Sequence, residues 1–131
     1  MAHDHEPQLR EDFRNAMRRL ASAVGVLTAN GPSGPLGMAA SSITSLTVEP
    51  PALLVCVNRS ASFHACMAEG QTFCVNLLSR DQRDICDAFG SPARRQERFV
   101  GDCWSTDPSN DLPVLANAQA NLACFVTRAI P

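Results

Sequence analysis

The feature that most constrains the fold is a series of short strand-forming runs separated by clusters of turn residues. Val24-Gly-Val-Leu-Thr-Ala29 predicts a strand, closed by the loop Asn30-Gly-Pro-Ser-Gly-Pro35, whose residues favour turn dihedrals. Residues 36–42 resume as small and apolar, and residues 43–48 are rich in Thr, Ser and β-branched types until Glu49-Pro50-Pro51 stops them. Ala52-Leu-Leu-Val-Cys-Val57 is a continuous apolar run of strand length, which predicts the central strand, buried on both faces. Thr72-Phe-Cys-Val-Asn-Leu77 and residues 118–127 predict two more strands.

Helical signals fall between these runs. Phe13, Ala16, Met17, Leu20 and Ala21 recur at helical spacing, with Arg14, Arg18 and Arg19 elsewhere and Asp12 as N-cap. Ser60 or Ser62 can cap a helix reaching Glu69, with Phe63, Cys66 and Met67 on one face and Gly70 just past its end. Ser79-Arg-Asp-Gln82 matches a capping box and opens a helix that carries Ile85, Cys86 and Phe89 to Gly90. Residues 94–99 predict a short exposed helix and residues 107–113 a loop. The order is that of a small barrel wrapped by a few helices, a mainly β or α+β architecture. No repeat or linker divides the chain, so we expect one domain over residues 12–131 behind a disordered polar tail, residues 1–11.

Charge and composition narrow the function classes. The 131 residues, 45% of them apolar, suffice for a single core. With 11 basic and 13 acidic residues there is no broad positive field, which argues against sequence-independent binding to nucleic acid or an anionic membrane; a bound anion would need a local site. The N-terminal residues lack the apolar core of a signal peptide, and no apolar run approaches the roughly 20 residues that span a bilayer. A soluble cytoplasmic protein is expected. The six cysteines form no C-x-x-C pair and read as buried thiols in a reducing compartment, and His3 with His5 reads as solvated rather than metal-binding.

Two polar clusters are attached to otherwise apolar strands. One holds Ser41, Ser42, Thr44, Ser45 and Thr47; the other holds Asn58, Arg59, Ser60 and Ser62. Hydroxyls, an arginine and the N–H groups of a helix start are the donors that a phosphate ester requires. The same residue types also fill turns and caps, and local chemistry leaves both readings open. His64, on the first turn after the second cluster, reads either as a phosphate or dimer contact or as a structural histidine. Trp104 reads as a core or interface anchor.

The order and spacing of several pieces resemble the short-chain flavin reductase family, the reductase components of two-component flavin monooxygenases. The pieces are Phe13-Arg-Asn-Ala-Met17 with Val26-Leu-Thr28, Gly37-Met-Ala-Ala-Ser-Ser-Ile-Thr-Ser-Leu-Thr47, Glu49-Pro-Pro51, Asn58-Arg-Ser-Ala-Ser62, Phe73-Cys-Val-Asn-Leu77 and Phe89-Gly90. The resemblance implies an FMN-binding split β-barrel, usually a homodimer, that uses NADH or NADPH to reduce FMN or FAD and releases the reduced flavin to a monooxygenase. It implies that Ala40, Ser41, Ser42, Ile43, Thr44, Ser45 and Thr47 line the isoalloxazine and ribityl chain. It places Asn58, Arg59, Ser60, Ala61 and Ser62 at the ribityl phosphate, and Phe89 and Gly90 against the flavin from the second helix. No acid or base residue is implied, because hydride transfer needs stacked rings held in line and support for charge on the ring.

Two departures from the family stand out. Ala39 takes a position where members commonly carry Thr. Ala129-Ile-Pro131 falls where the family continues into a Gly-Thr-His turn and the closing strands. The alternatives that follow are a flavin-binding module without turnover and a split barrel that holds another phosphorylated ligand.

Overall fold

The computed structural model describes residues 2–17, 19 and 23–131. Four antiparallel strands form the main sheet: β1 (Gly25–Gly31), β2 (Gly34–Ala40), β5 (Thr72–Leu77) and β8 (Ala120–Phe125), in the order β2-β1-β5-β8. A separate hairpin pairs β3 (Ile43–Val48) with β4 (Pro51–Val55), and a smaller one pairs β6 (Trp104–Thr106) with β7 (Pro113–Leu115). The sheet does not close on itself, since β2 and β8 remain its two edges.

Alternation along β1 and β5 explains how one sheet supports two cores. Leu27, Ala29, Phe73 and Val75 point to one face, where Phe63, Cys66 and Val126 pack with Ile43, Leu53 and Val55 of the hairpin. Val26 points to the other face and packs with Leu78, Ala88, Phe89 and Leu115. Each large side chain that is fully buried here, Leu27, Phe63 and Leu115 among them, contributes about 2–3 kcal/mol.

The second face also buries polar atoms. Asn76 Nδ2 donates to the Val26 carbonyl at 2.9 Å and to Thr28 Oγ1 at 3.1 Å, while its Oδ1 accepts from Leu115 N–H at 3.1 Å and Asn121 Nδ2 at 2.8 Å. Thr28 Oγ1 in turn donates to the Pro113 carbonyl at 2.7 Å. One asparagine thereby joins β1, β7 and β8 to β5, with its hydrogen-bonding capacity used in full.

Several expectations are corrected. The run 52–57 is not central: β4 lies in the outer hairpin, where Leu53 and Val55 face inward while Ala52, Leu54 and Cys56 face outward and are exposed. An apolar run shows that neither face carries charge, but not what covers the second face. Strands β1 and β5 take the central place. The loop at residues 30–35 is tighter than expected, with Gly31 paired to Gly34 across two turn residues and Gly34 at φ 124°, a conformation glycine adopts without strain.

Helix α1 spans Ala2–Met17, so residues 2–11 are helical rather than a disordered tail, and Asp12 lies inside the helix instead of capping it. Gln8 Nε2 donates to Asp12 at 2.9 Å and Arg14 lies 3.9 Å from Glu11, side-chain pairs that support the turns. Its apolar residues Leu9, Phe13 and Met17 are exposed, and the expected continuation through Leu20 and Ala21 falls outside the described residues.

The segment after β4 forms a short 3-10 helix, Ser62–Cys66, in place of a helix to Glu69; neither Ser60 nor Ser62 caps it. The Ser79–Gln82 capping box is present, with Ser79 N–H donating to Gln82 Oε1 at 3.0 Å. It opens one 3-10 turn, Arg80–Gln82, and then α2, Arg83–Gly90. A third 3-10 helix covers Pro92–Glu97. The expected strand 118–127 is the shorter β8, and the β6–β7 hairpin was not anticipated, because strands of three residues leave too short a pattern to read. The six cysteines are unbridged; Cys66 and Cys74 are buried as expected, but Cys56 is exposed.

Candidate functional site

Strand β2 is buried at Ala40, and the chain then turns at Ser41 and Ser42 into β3. The Cys56 N–H donates to the Ser42 carbonyl at 3.2 Å, and Ile43 is the register partner of Val55. That pairing places the start of the first polar cluster beside the chain entering the second. A register shift between Ser45 and Thr47 carries Thr47 to the far end of the hairpin, opposite Ala52. Ser41, Ser42, Thr44, Ser45 and Thr47 are exposed and Ile43 half-buried, so the hydroxyl cluster forms an open edge, at whose far end Thr47 Oγ1 accepts from Glu49 N–H at 3.3 Å in the hairpin turn.

The second cluster is folded by Asn58. Its Oδ1 accepts from Ser60 N–H at 3.0 Å and from Ser60 Oγ at 2.9 Å, while Ala61 N–H donates to the Asn58 carbonyl at 3.0 Å. This is an Asx turn, in which a short amide side chain does the work of a backbone turn. Arg59 and Ser62 are exposed on it, Ala61 is half-buried, and no carboxylate pairs with Arg59 among the described residues. His64 is exposed on the following 3-10 helix.

The second helix meets the edge through its last residues. Phe89 is buried, with its ring centroid 5.0 Å from that of Phe99 and 5.4 Å from that of Trp104. Its ring also fills the space over Gly37, where a Cβ would lie 2.6 Å from Phe89 Cε1. The Phe89 side chain is therefore a core residue that supports β2, and Trp104 is a core anchor, as its chemistry suggested. Gly90 is exposed beside Ala39, whose Cβ would be 3.8 Å from a Cβ at Gly90. Of the Phe89-Gly90 pair, only Gly90 reaches the surface near the edge.

Sequence reasoning missed two supports of this edge, Gly37 as the seat of the Phe89 ring and Arg98 as a clamp. Arg98 donates from Nε to the Ala88 carbonyl at 2.8 Å, from Nη2 to Ser91 at 3.1 Å and from Nη1 to Gly37 at 3.4 Å. The Arg-Phe pair within a charged run carried no signal of its own. A concavity of about 770 Å³ lies elsewhere, between Val24, Leu78 and the start of α2 with Arg80, Arg83 and Cys86. It contains neither polar cluster. No group of three or more His, Cys, Asp or Glu among the described residues is arranged to hold a metal ion.

A mainly β split barrel with flanking helices, its sheet open and a hydroxyl edge leaving its outer strand, defines the class of this protein. The model of the flavin reductase-like domain matches residues 17–131, and the chain belongs to that family. It is 43% identical over 123 residues to an FMN reductase (NADH) RutF of Stutzerimonas stutzeri, covering 94% of this chain and 70% of that protein. The structure is similar, at TM-score 0.83 and 31% identity, to the Streptomyces globisporus NADH:FAD oxidoreductase SgcE6 in complex with NAD and FAD fragments, over 96% of this chain and 74% of that one. It is also similar to BorF, the flavin reductase component of a bacterial two-component tryptophan halogenase, at TM-score 0.81 and 28% identity over 93% of this chain and 77% of that one. The chain spans about two thirds of the length of the curated relatives it matches.

Proposed function

We propose that the chain is an NADH-dependent flavin reductase that takes FMN or FAD on the edge formed by residues 40–47 and 58–62 and delivers it, reduced, to a flavin-dependent monooxygenase or related oxygenase. The observation that carries this reading is the register that sets Ser42 beside Cys56, and so brings two exposed polar clusters together, in a chain of the flavin reductase-like family. A flavin is a flat ring on a polyhydroxyl chain ending in phosphate, and the residues present suit it. Small side chains at Ala40, Ser41 and Ser42 allow a ring to approach the backbone. The Thr44, Ser45 and Thr47 hydroxyls serve the polar chain, and Asn58, Arg59, Ser60, Ala61 and Ser62 serve the phosphate with N–H groups and one guanidinium. Bound flavin supplies the acceptor for the nicotinamide hydride. The protein's part is to orient two rings and to offer N–H dipoles where negative charge grows, so no side-chain acid or base is assigned.

Relatives named NADH reductases favour NADH over NADPH as the co-substrate. A second copy of the chain would cover the exposed apolar residues of α1 and of the β3–β4 hairpin, among them Phe13, Leu46 and Val48, and a homodimer is proposed on that ground. No helix among the described residues is long and apolar enough to cross a membrane, and a cytoplasmic location is part of the proposal.

Steady-state NADH oxidation with and without added FMN tests the reading: the expected result is turnover that depends on added flavin, and its absence in a folded, FMN-binding protein favours a binding module without catalysis. Selective binding of another phosphate ester over FMN contradicts both.

A further inference from the structure

We infer that Arg98 is a positioning residue for flavin binding, setting the place of the Ser41–Ser42 turn through Gly37 and Phe89 without touching that turn itself. The inference rests on the flavin reductase reading above. Arg98 follows the 3-10 helix Pro92–Glu97, and its guanidinium reaches the last turn of α2, the bend after it and the middle of β2 through three carbonyls at 2.8–3.4 Å. Its Cζ also lies 5.5 Å from the centroid of the Phe89 ring, the ring that seals Gly37. One side chain thus fixes β2 from the side opposite β1.

The choice of a cation here is informative. Arg98 is half-buried and has no carboxylate partner among the described residues; burial, and then the like charge of Arg95, hold its pKa below the ordinary arginine value. A neutral side chain would fill the space without that desolvation cost. What only a planar fork of donors supplies is simultaneous bonding to carbonyls on separate segments, and one of these, Ala88 in the last turn of α2, carries the partial negative charge of a helix C-terminus. Gly37 lies three residues before Ala40, about 10 Å along the strand. Gly37 has no slack either, since the Leu27 carbonyl stands 3.1 Å from where its Cβ would be. A strand held rigidly at Gly37 and beside Gly90 leaves the sheet at one angle, and that angle sets where the Ser41 and Ser42 hydroxyls stand relative to the Asn58 turn.

The test compares Arg98→Met and Arg98→Lys with Arg94→Met, a control on the same segment whose Asp84 and Glu97 contacts at 2.9 Å do not reach β2. FMN affinity is measured by fluorescence titration on protein shown to be folded by its melting curve, with amide exchange of residues 38–42 followed in parallel. Arg98→Met is expected to weaken FMN about tenfold and Arg98→Lys about fivefold, with faster exchange at 38–42 and unchanged exchange at 73–76, while Arg94→Met stays within about twofold of the parent. A folded Arg98→Met that binds FMN like the parent overturns the inference alone. If Arg98→Met does not fold, parent-like affinity in Arg98→Lys overturns it. A parent protein that binds no FMN overturns the flavin reductase reading, and this inference with it.

Discussion

Asn76 and Asn58 are both asparagines set against apolar strands, and the two regions they organise are built for opposite ends. Around Asn76 the polar atoms are turned inward: its amide, fully buried, serves β1, β7 and β8. Around Asn58 the side-chain oxygen folds a turn, and the turn presents Arg59, Ser60 and Ser62 outward beside the Ser41–Thr47 edge. Buried polar groups that are fully paired hold a fold in one arrangement, whereas exposed donors hold nothing until a ligand arrives. The molecule buries one asparagine in the core of its main sheet and exposes the other on the turn that follows the β3–β4 hairpin.

The largest expected effect breaks the first region. Asn76→Leu leaves Leu115 N–H, the Val26 carbonyl and Thr28 without their shared partner, and is expected to cost about 3–4 kcal/mol in equilibrium denaturation. Next comes the support between the regions. Gly37→Ala drives a methyl against Phe89 and is expected to cost about 2 kcal/mol, and Phe89→Leu in the same chain should recover part of that loss, a double-mutant coupling that unrelated sites do not show.

In the second region the effects move from stability to affinity. Asn58→Ala is expected to lower stability by no more than about 1 kcal/mol but to weaken FMN binding about tenfold. Thr44→Val on the exposed edge should change stability by less than about 0.5 kcal/mol and FMN affinity by about threefold.

A further effect is a pH dependence. Burial, with Cys124 as a second cause, pushes the Cys74 thiol up to about 11. Its folded-state value is raised, so its contribution is fully present below the ordinary thiol value of 9.0 and is lost as pH rises through about 11. Denaturation midpoints should therefore fall from pH 9.0 upward, and less steeply in Cys74→Ala.

Much of this division was legible in the chain before any coordinates. The strands β1, β3 and β5 followed from β-branched runs between turn residues, and the Ser79–Gln82 capping box from four residues whose side chains satisfy one another locally. Both polar clusters were legible as well, as was Trp104 as an anchor. What was illegible depended on partners distant in sequence. The run 52–57 looked central because composition says nothing about which surface covers a strand. Asn76 sat inside an apolar strand with no local sign that atoms from residues 26, 28, 115 and 121 would converge on it. The role of Arg98 needed the sixty-one-residue separation from Gly37 to be closed by folding. That the Phe89 ring packs behind β2 was also illegible, because its spacing on α2 shows which face it shares but not which layer receives it.

The most direct test is an amide-exchange footprint of the protein with and without FMN. The account predicts protection concentrated in residues 40–47 and 58–62. Protection centred instead on Ser79–Asp87, the wall of the large concavity beside α2, with residues 40–47 unchanged, would contradict it.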